Sequence, residues 1–175
     1  MQETSGKPGL ARRGILALAT GFGLGYAPVA SGTFGTLPGL AVVAGLHGLE
    51  RVFEWGIAGT LALTVLGVAA AIPVCHIAER HFGKKDDGRI VADEYMTYPI
   101  CLLGLPWIQT PWLLGLAFVS HRFFDILKPP PAYRIQNIGG GAGIVLDDAV
   151  SSLYALAFNH GVWWIATRIA DHGGV

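Results

Sequence analysis

The stretch GIAGTLALTVLGVAAAIPV, residues 56–74, decides the fold. It runs for 19 residues without a charged side chain. At ~1.5 Å per residue a helix of that length matches a hydrocarbon core of ~30 Å. The rest of the chain has the same character. Of its 175 residues 14% are charged and 52% hydrophobic, whereas a soluble domain carries about 25% charged residues. The formal net charge is zero, so no electrostatic case exists for a nucleic-acid partner. Cys75 and Cys101 are the only cysteines, each in an apolar stretch, and read as free buried thiols rather than a disulfide scaffold. The N-terminus has basic residues before an apolar run, but no small-residue cleavage site follows, so a signal peptide is not expected.

Three further regions share this hydropathy: residues 37–49, 90–128 and 148–170. The middle one is too long for a single crossing and contains LPWIQTPW, in which Pro106 and Pro111 bracket a turn. Splitting it there predicts a helical hairpin, residues 90–105 going out and 111–127 coming back. That fold brings Asp93 and Glu94 level with Asp125. Basic residues then orient the molecule. Lys7, Arg12 and Arg13, the group Arg80, Lys84, Lys85 and Arg89, and Arg122, Lys128 and Arg134 all fall on one side, which the positive-inside rule makes cytoplasmic. The expectation is an all-α, polytopic membrane helical bundle with about four to five transmembrane helices, including the hairpin with its Pro-bracketed turn. It forms a single domain over residues 1–175, with 1–20 as an N-terminal cytoplasmic segment.

On that face three acidic sites converge: Asp93 with Glu94, Asp125, and Asp147 with Asp148. Uncompensated, they would repel and raise one another's pKa values. A hard divalent cation resolves the conflict, and Mg²⁺ asks for only one or two carboxylates beside water and phosphate. The plainer reading of Asp147 and Asp148 is that they cap the last helix. Arg122, Asp125 and Lys128 are spaced i, i+3, i+6 and form a slanting stripe of alternating charge that suits a phosphate held between metal and cations. Here the plainer reading is that both cations snorkel to the interface or pair with Asp125. Two glycine-rich stretches, GFGLGYAPVASGTFGTLPG (residues 21–39, with Ser31, Thr33 and Thr36) and NIGGGAGIVLDD (137–148), read either as anion-binding loops or as close helix packing. Cys75, His76, Glu79 and His81 have poor spacing for zinc, and His121 reads as interfacial.

GFGLGYAPVASGTFGTLPG, DDGRIVADEY, FFDILKPPP and GGGAGIVLDDAV follow, in order, the motifs of the phosphatidylglycerophosphatase A family, which this chain resembles over about residues 20–154. The resemblance implies a Mg²⁺-dependent, multi-pass enzyme of the bacterial inner membrane with its site on the cytoplasmic side. Such an enzyme removes the terminal phosphate of phosphatidylglycerophosphate to give phosphatidylglycerol. By motif it implies roles for Thr33, Asp93, Glu94, Arg122, Asp125, Lys128, Asp147 and Asp148. Thr97, Gly139, Ser151 and Ser152 depart from the family pattern.

The expected division of labour follows. Asp93, Asp147 and Asp148 hold the metal, with Glu94 or Asp125 as further ligand or base. Thr33, Arg122 and Lys128 bind the substrate's phosphate. A water is the nucleophile, with attack by one of the aspartates as the competing course. Cysteine and histidine phosphatase signatures are absent: Cys75 and Arg80 are one residue too close for a Cys-x5-Arg loop. The alternatives are a small ion-coupled transporter and a phosphatase of another phospholipid monophosphate.

Overall fold

The computed structural model describes residues 9–172, and no strand occurs among them. The helices are α1 (Leu10–Ala19), α2 (Ser31–Phe53), α3 (Gly56–Phe82), α4 (Ala92–Thr97), α5 (Trp112–Leu127), α6 (Ala132–Ile135) and α7 (Gly141–His172). Short 3₁₀ turns occupy Leu24–Tyr26 and Tyr98–Leu102. Three helices, α2, α3 and α7, are long and apolar enough to cross a membrane.

Their surfaces are inverted relative to a soluble protein. Large apolar side chains stand outside: Leu61, Val65 and Leu66 on α3, Val119, Phe123 and Ile126 on α5, Ile165 and Ile169 on α7. Polar side chains are buried inside, among them Thr36, Ser120, His121, Ser151, Ser152 and Asn159. That distribution suits a hydrocarbon surround, where polar groups must find partners within the bundle. Ser120 donates to Asn159 Oδ1 (2.9 Å) and Asn159 Nδ2 donates to the Cys101 carbonyl (3.0 Å), tying α5, α7 and the second 3₁₀ turn together. Both cysteines are free and buried.

The helices run longer than their charge-free cores. α3 continues past Pro73 and stops at Gly83, whose positive φ (68°) lets its amide reach the Glu79 carbonyl at 2.9 Å. α7 starts at Gly141 instead of near Asp148, so Asp147 and Asp148 lie in its second turn and do not cap it. Glycine at that start has a packing cause. A Cβ on Gly141 would stand 2.0 Å from the Ile72 carbonyl oxygen and 2.6 Å from the His76 nitrogen. α7 therefore touches the α3 backbone there, as small residues permit. The same logic rules α2, whose buried face is Gly32, Gly35, Thr36, Gly39 and Val43. The stretch read either as an anion-binding loop or as close helix packing is thus, from Ser31 onward, a helix packed closely on its neighbours.

The outgoing limb of the expected hairpin is not a continuous helix. Residues 90–105 form only the six-residue α4 and the five-residue 3₁₀ turn, spanning roughly 19 Å. Pro99, at the start of the 3₁₀ turn, cannot donate the amide that an α-helix needs, and Gly104 turns the chain away with φ 74°. This short wedge lies between α2, α3 and α7. Beyond it the Thr110 amide bonds to the Pro106 carbonyl (3.0 Å). α5 then runs back beside the wedge, with the Tyr98 hydroxyl donating to the Leu114 carbonyl (2.9 Å). Within the expected N-terminal segment, α1 packs on α3.

Candidate active site

The wedge carries the first two acids. The Val91 amide donates to the Ala19 carbonyl (2.8 Å) and the Tyr95 hydroxyl to the Leu18 carbonyl (2.9 Å), so α1 anchors α4 from below. Asp93 and Glu94 occupy the first turn of α4 and are both buried, where free backbone amides favour negative charge. Glu94 faces α2 and α5. Thr36 Oγ1 donates to its Oε2 at 3.1 Å, and Arg122 Nη1 lies 3.1 Å from the same atom.

The end of α5 supplies the second group. Arg122 Nη1 also lies 2.8 Å from Asp125 Oδ2, one turn on. α5 ends at Lys128 in a left-handed conformation (φ 45°), followed by prolines that cannot continue the helix. The Lys128 ammonium then sits among three carboxylates. It contacts Asp147 directly and lies 3.7 Å from Asp125 and 4.0 Å from Asp148. Asp147 and Asp148 enter from the second turn of α7, almost fully buried. The structure thus gathers Asp93, Glu94, Asp125, Asp147, Asp148, Arg122 and Lys128 at one end of the bundle.

Electrostatics follows from this enclosure. Burial alone would lower the Lys128 ammonium, but its hydrogen bond to Asp147 and the nearby carboxylates prevail and raise it. On the rim Asp87 is held below its usual value by the bidentate Arg89, with bonds of 2.7 and 2.9 Å. Several polar atoms remain buried without a hydrogen-bond partner: Asp93 Oδ1, Asp147 Oδ1, Asp148 Oδ2, and Arg122 Nε and Nη1. The Arg122 contacts are therefore ionic, with donors still unaligned to any acceptor. Among the described residues no three His, Cys, Asp or Glu side chains stand in a ready metal cage, because the Lys128 ammonium lies between Asp125, Asp147 and Asp148. The donor set nevertheless fits a hard cation: orphaned carboxylate oxygens carry surplus negative charge and are oxygen ligands only.

Thr33 is not brought into the cluster by any hydrogen bond; it is exposed on the first turn of α2, and Thr36 makes the contact instead. Thr36 stands four residues after Gly32, and a helical α2 places it on the buried glycine face. A Cβ on Gly32 would lie 2.4 Å from both Arg122 Nη2 and Glu94 Oε1. His121, expected at the interface, is fully buried with Nδ1 at 3.3 Å from Ser152 Oγ.

A family model described as phosphatidylglycerophosphatase A matches residues 17–163. A Haemophilus influenzae protein named phosphatidylglycerophosphatase A is 36% identical over 143 residues, covering 81% of this chain and 84% of the relative. An Escherichia coli K12 protein of the same name is 32% identical over 137 residues, 78% and 76% of the two chains. A Bacteroides thetaiotaomicron protein, provisionally named a phosphatidylinositol-3-phosphatase, is 33% identical over 152 residues, 85% and 92% of the two. No solved structure matches.

Proposed function

The chain belongs to the phosphatidylglycerophosphatase A family, and from that premise we propose that its acidic cluster hydrolyses the terminal phosphate of phosphatidylglycerophosphate, releasing phosphatidylglycerol. The observation that carries the reading is the enclosure of Asp93, Asp147 and Asp148, each with an unpartnered carboxylate oxygen, beside two cations. These three carboxylates would hold Mg²⁺, which supplies charge neutralisation at the reacting phosphate when bound. Arg122, whose buried Nε has no partner, would offer that donor to a phosphate oxygen, and Lys128 would meet the phosphate as a point charge. Glu94 or Asp125 takes the proton of the attacking water. Thr36 and Arg122 hold Glu94 in place for that task.

The topology that fits this chemistry has about five crossings, with the wedge and α5 as an out-and-back pair and the acids on the cytoplasmic side of a bacterial inner membrane. The basic residues Arg80, Lys84, Lys85 and Arg134 stand at the acidic end and support that orientation. A second reading, action on phosphatidylinositol 3-phosphate, has one observation in its favour, the provisional name of the Bacteroides relative. Rates of phosphate release from the two lipids by purified protein in detergent separate them. A higher kcat/KM for phosphatidylglycerophosphate supports the first reading, and the reverse order overturns it.

Two substitutions probe the cations. Lys128→Arg is expected to lose about tenfold in turnover, ~1.4 kcal/mol, because a planar guanidinium does not fit a compact ammonium site. A wild-type rate would mean that Lys128 only anchors the helix end. Gly32→Ala pushes a methyl into Arg122 and Glu94. Displacing oriented groups by a fraction of an ångström should cost roughly 10- to 100-fold in rate, with little change in melting temperature, because only side-chain ends must shift. Gly45→Ala on the same helix meets open space and should leave the rate unchanged.

A further inference from the structure

The seam between α3 and α7 opens below the acids into an apolar cavity of about 240 Å³, whose walls include Leu61, Val65, Val68, Ile100, Ala149 and Leu153. Its one hydroxyl-bearing wall residue, Thr64, donates to the Thr60 carbonyl of its own helix at 2.8 Å. The opening has a simple cause. α3 and α7 extend past the short wedge, and at position 149 α7 offers only a methyl group to fill the gap.

Two observations join this cavity to the acidic site. Ala149 directly follows Asp148 on α7, and Ile100 lies on the 3₁₀ turn that continues α4, the helix of Asp93 and Glu94. From that junction the groove descends along α3 from Val68 to Leu61, seven residues or ~10 Å, away from the acids. Its outer wall is open, since Leu61, Val65 and Leu153 each keep about half their surface exposed (48%, 57% and 53%). A channel that starts at a phosphate site and opens sideways on an apolar flank has the layout of an amphiphile: head among the acids, tail in the groove.

We propose that this groove seats one acyl chain of the lipid substrate; the inference rests on the phosphatase reading above. A chain gains no hydrophobic free energy on leaving other lipid tails for the groove, because both surroundings are equally apolar. The groove acts by fit, holding the chain so that its headgroup lies against Arg122, Lys128 and the carboxylates. A partner's transmembrane helix is a poorer occupant, since ~10 Å of groove matches fewer than two helical turns.

The test uses the purified full chain in detergent with dipalmitoyl and dihexanoyl phosphatidylglycerophosphate. Ala149→Phe fills the mouth of the groove and Leu61→Trp its far end, while Val119→Trp on the exposed face of α5 serves as control. Overpacking of this kind should lower kcat/KM for the dipalmitoyl substrate roughly tenfold, chiefly through KM. The dihexanoyl rate should stay within about twofold for Leu61→Trp, and the control should change neither. Leu61→Trp guards against the chance that Ala149→Phe disturbs its neighbour Asp148. Equal losses on both substrates in Leu61→Trp, or no loss on either in both groove variants, overturn the groove. Wild-type protein that hydrolyses neither lipid overturns the phosphatase reading and the groove with it.

Discussion

Asp148→Asn is expected to abolish phosphate release, by on the order of 10³-fold or more, about 4 kcal/mol of transition-state stabilisation. The amide keeps the shape of the side chain and discards the charge that would hold a divalent cation. Asp93→Asn should lose as much. Neither change should unfold the protein, because each removes one like charge from a crowded, buried set. Their melting temperatures should match or exceed the wild type. Asp147→Asn differs in this respect, since it takes away the closest partner of Lys128. It should lose both activity and stability, the latter by less than the ~3–5 kcal/mol of a fully buried pair, since the Lys128 side chain stays 22% exposed. Phosphate release and thermal unfolding in the same detergent read both effects. Near-normal rates in all three variants would mean that the cluster is structural.

Gly141→Val should have the largest effect on folding. The added side chain would start 2.0 Å from the Ile72 carbonyl oxygen and 2.6 Å from the His76 nitrogen, both backbone atoms of α3. No rotamer can relieve that contact, so α7 must move away from α3. Overpacking costs ~1–3 kcal/mol where side chains can yield, and here the expected loss is at the top of that range or above it. Because α7 positions Asp147 and Asp148, activity should fall even in whatever fraction still folds. Gly139→Ala, two residues earlier and facing open space, should be silent. A Gly141→Val protein with wild-type unfolding and rate would show that α7 does not rest on α3 at that point.

Much of this arrangement is legible in residue order because charge is scarce. In a chain so apolar, each cluster of acids falls at the end of a hydrophobic run, and alternating runs bring those ends to one side. Asp93, Asp125 and Asp148 could be grouped for that reason alone. Helix continuity was harder to read. Gly141 and Gly143 look like loop residues by propensity, yet they lie inside α7 because only a hydrogen atom fits against Ile72 and Ile138. Gly32, Gly35 and Gly39 mislead in the same way on α2. Pro99, which lacks the amide an α-helix needs, is the residue within 90–105 that signals the break. Thr33 and Thr36 cannot be told apart until α2 is known to be helical at Ser31, since only then does Thr36 face Glu94 and Thr33 face outward. The partial burial of Lys128 among acids depends on its left-handed backbone, a conformation that no motif announces.

The central claim is that the buried carboxylates form a divalent-cation site for phosphoester hydrolysis. It is tested most directly by phosphate release from phosphatidylglycerophosphate by the purified protein, measured after chelation and again after stepwise return of Mg²⁺. The account predicts no turnover in chelator, full recovery with Mg²⁺, and an Asp93→Asn variant that needs more Mg²⁺ for whatever rate it retains. Undiminished turnover in excess chelator would contradict it.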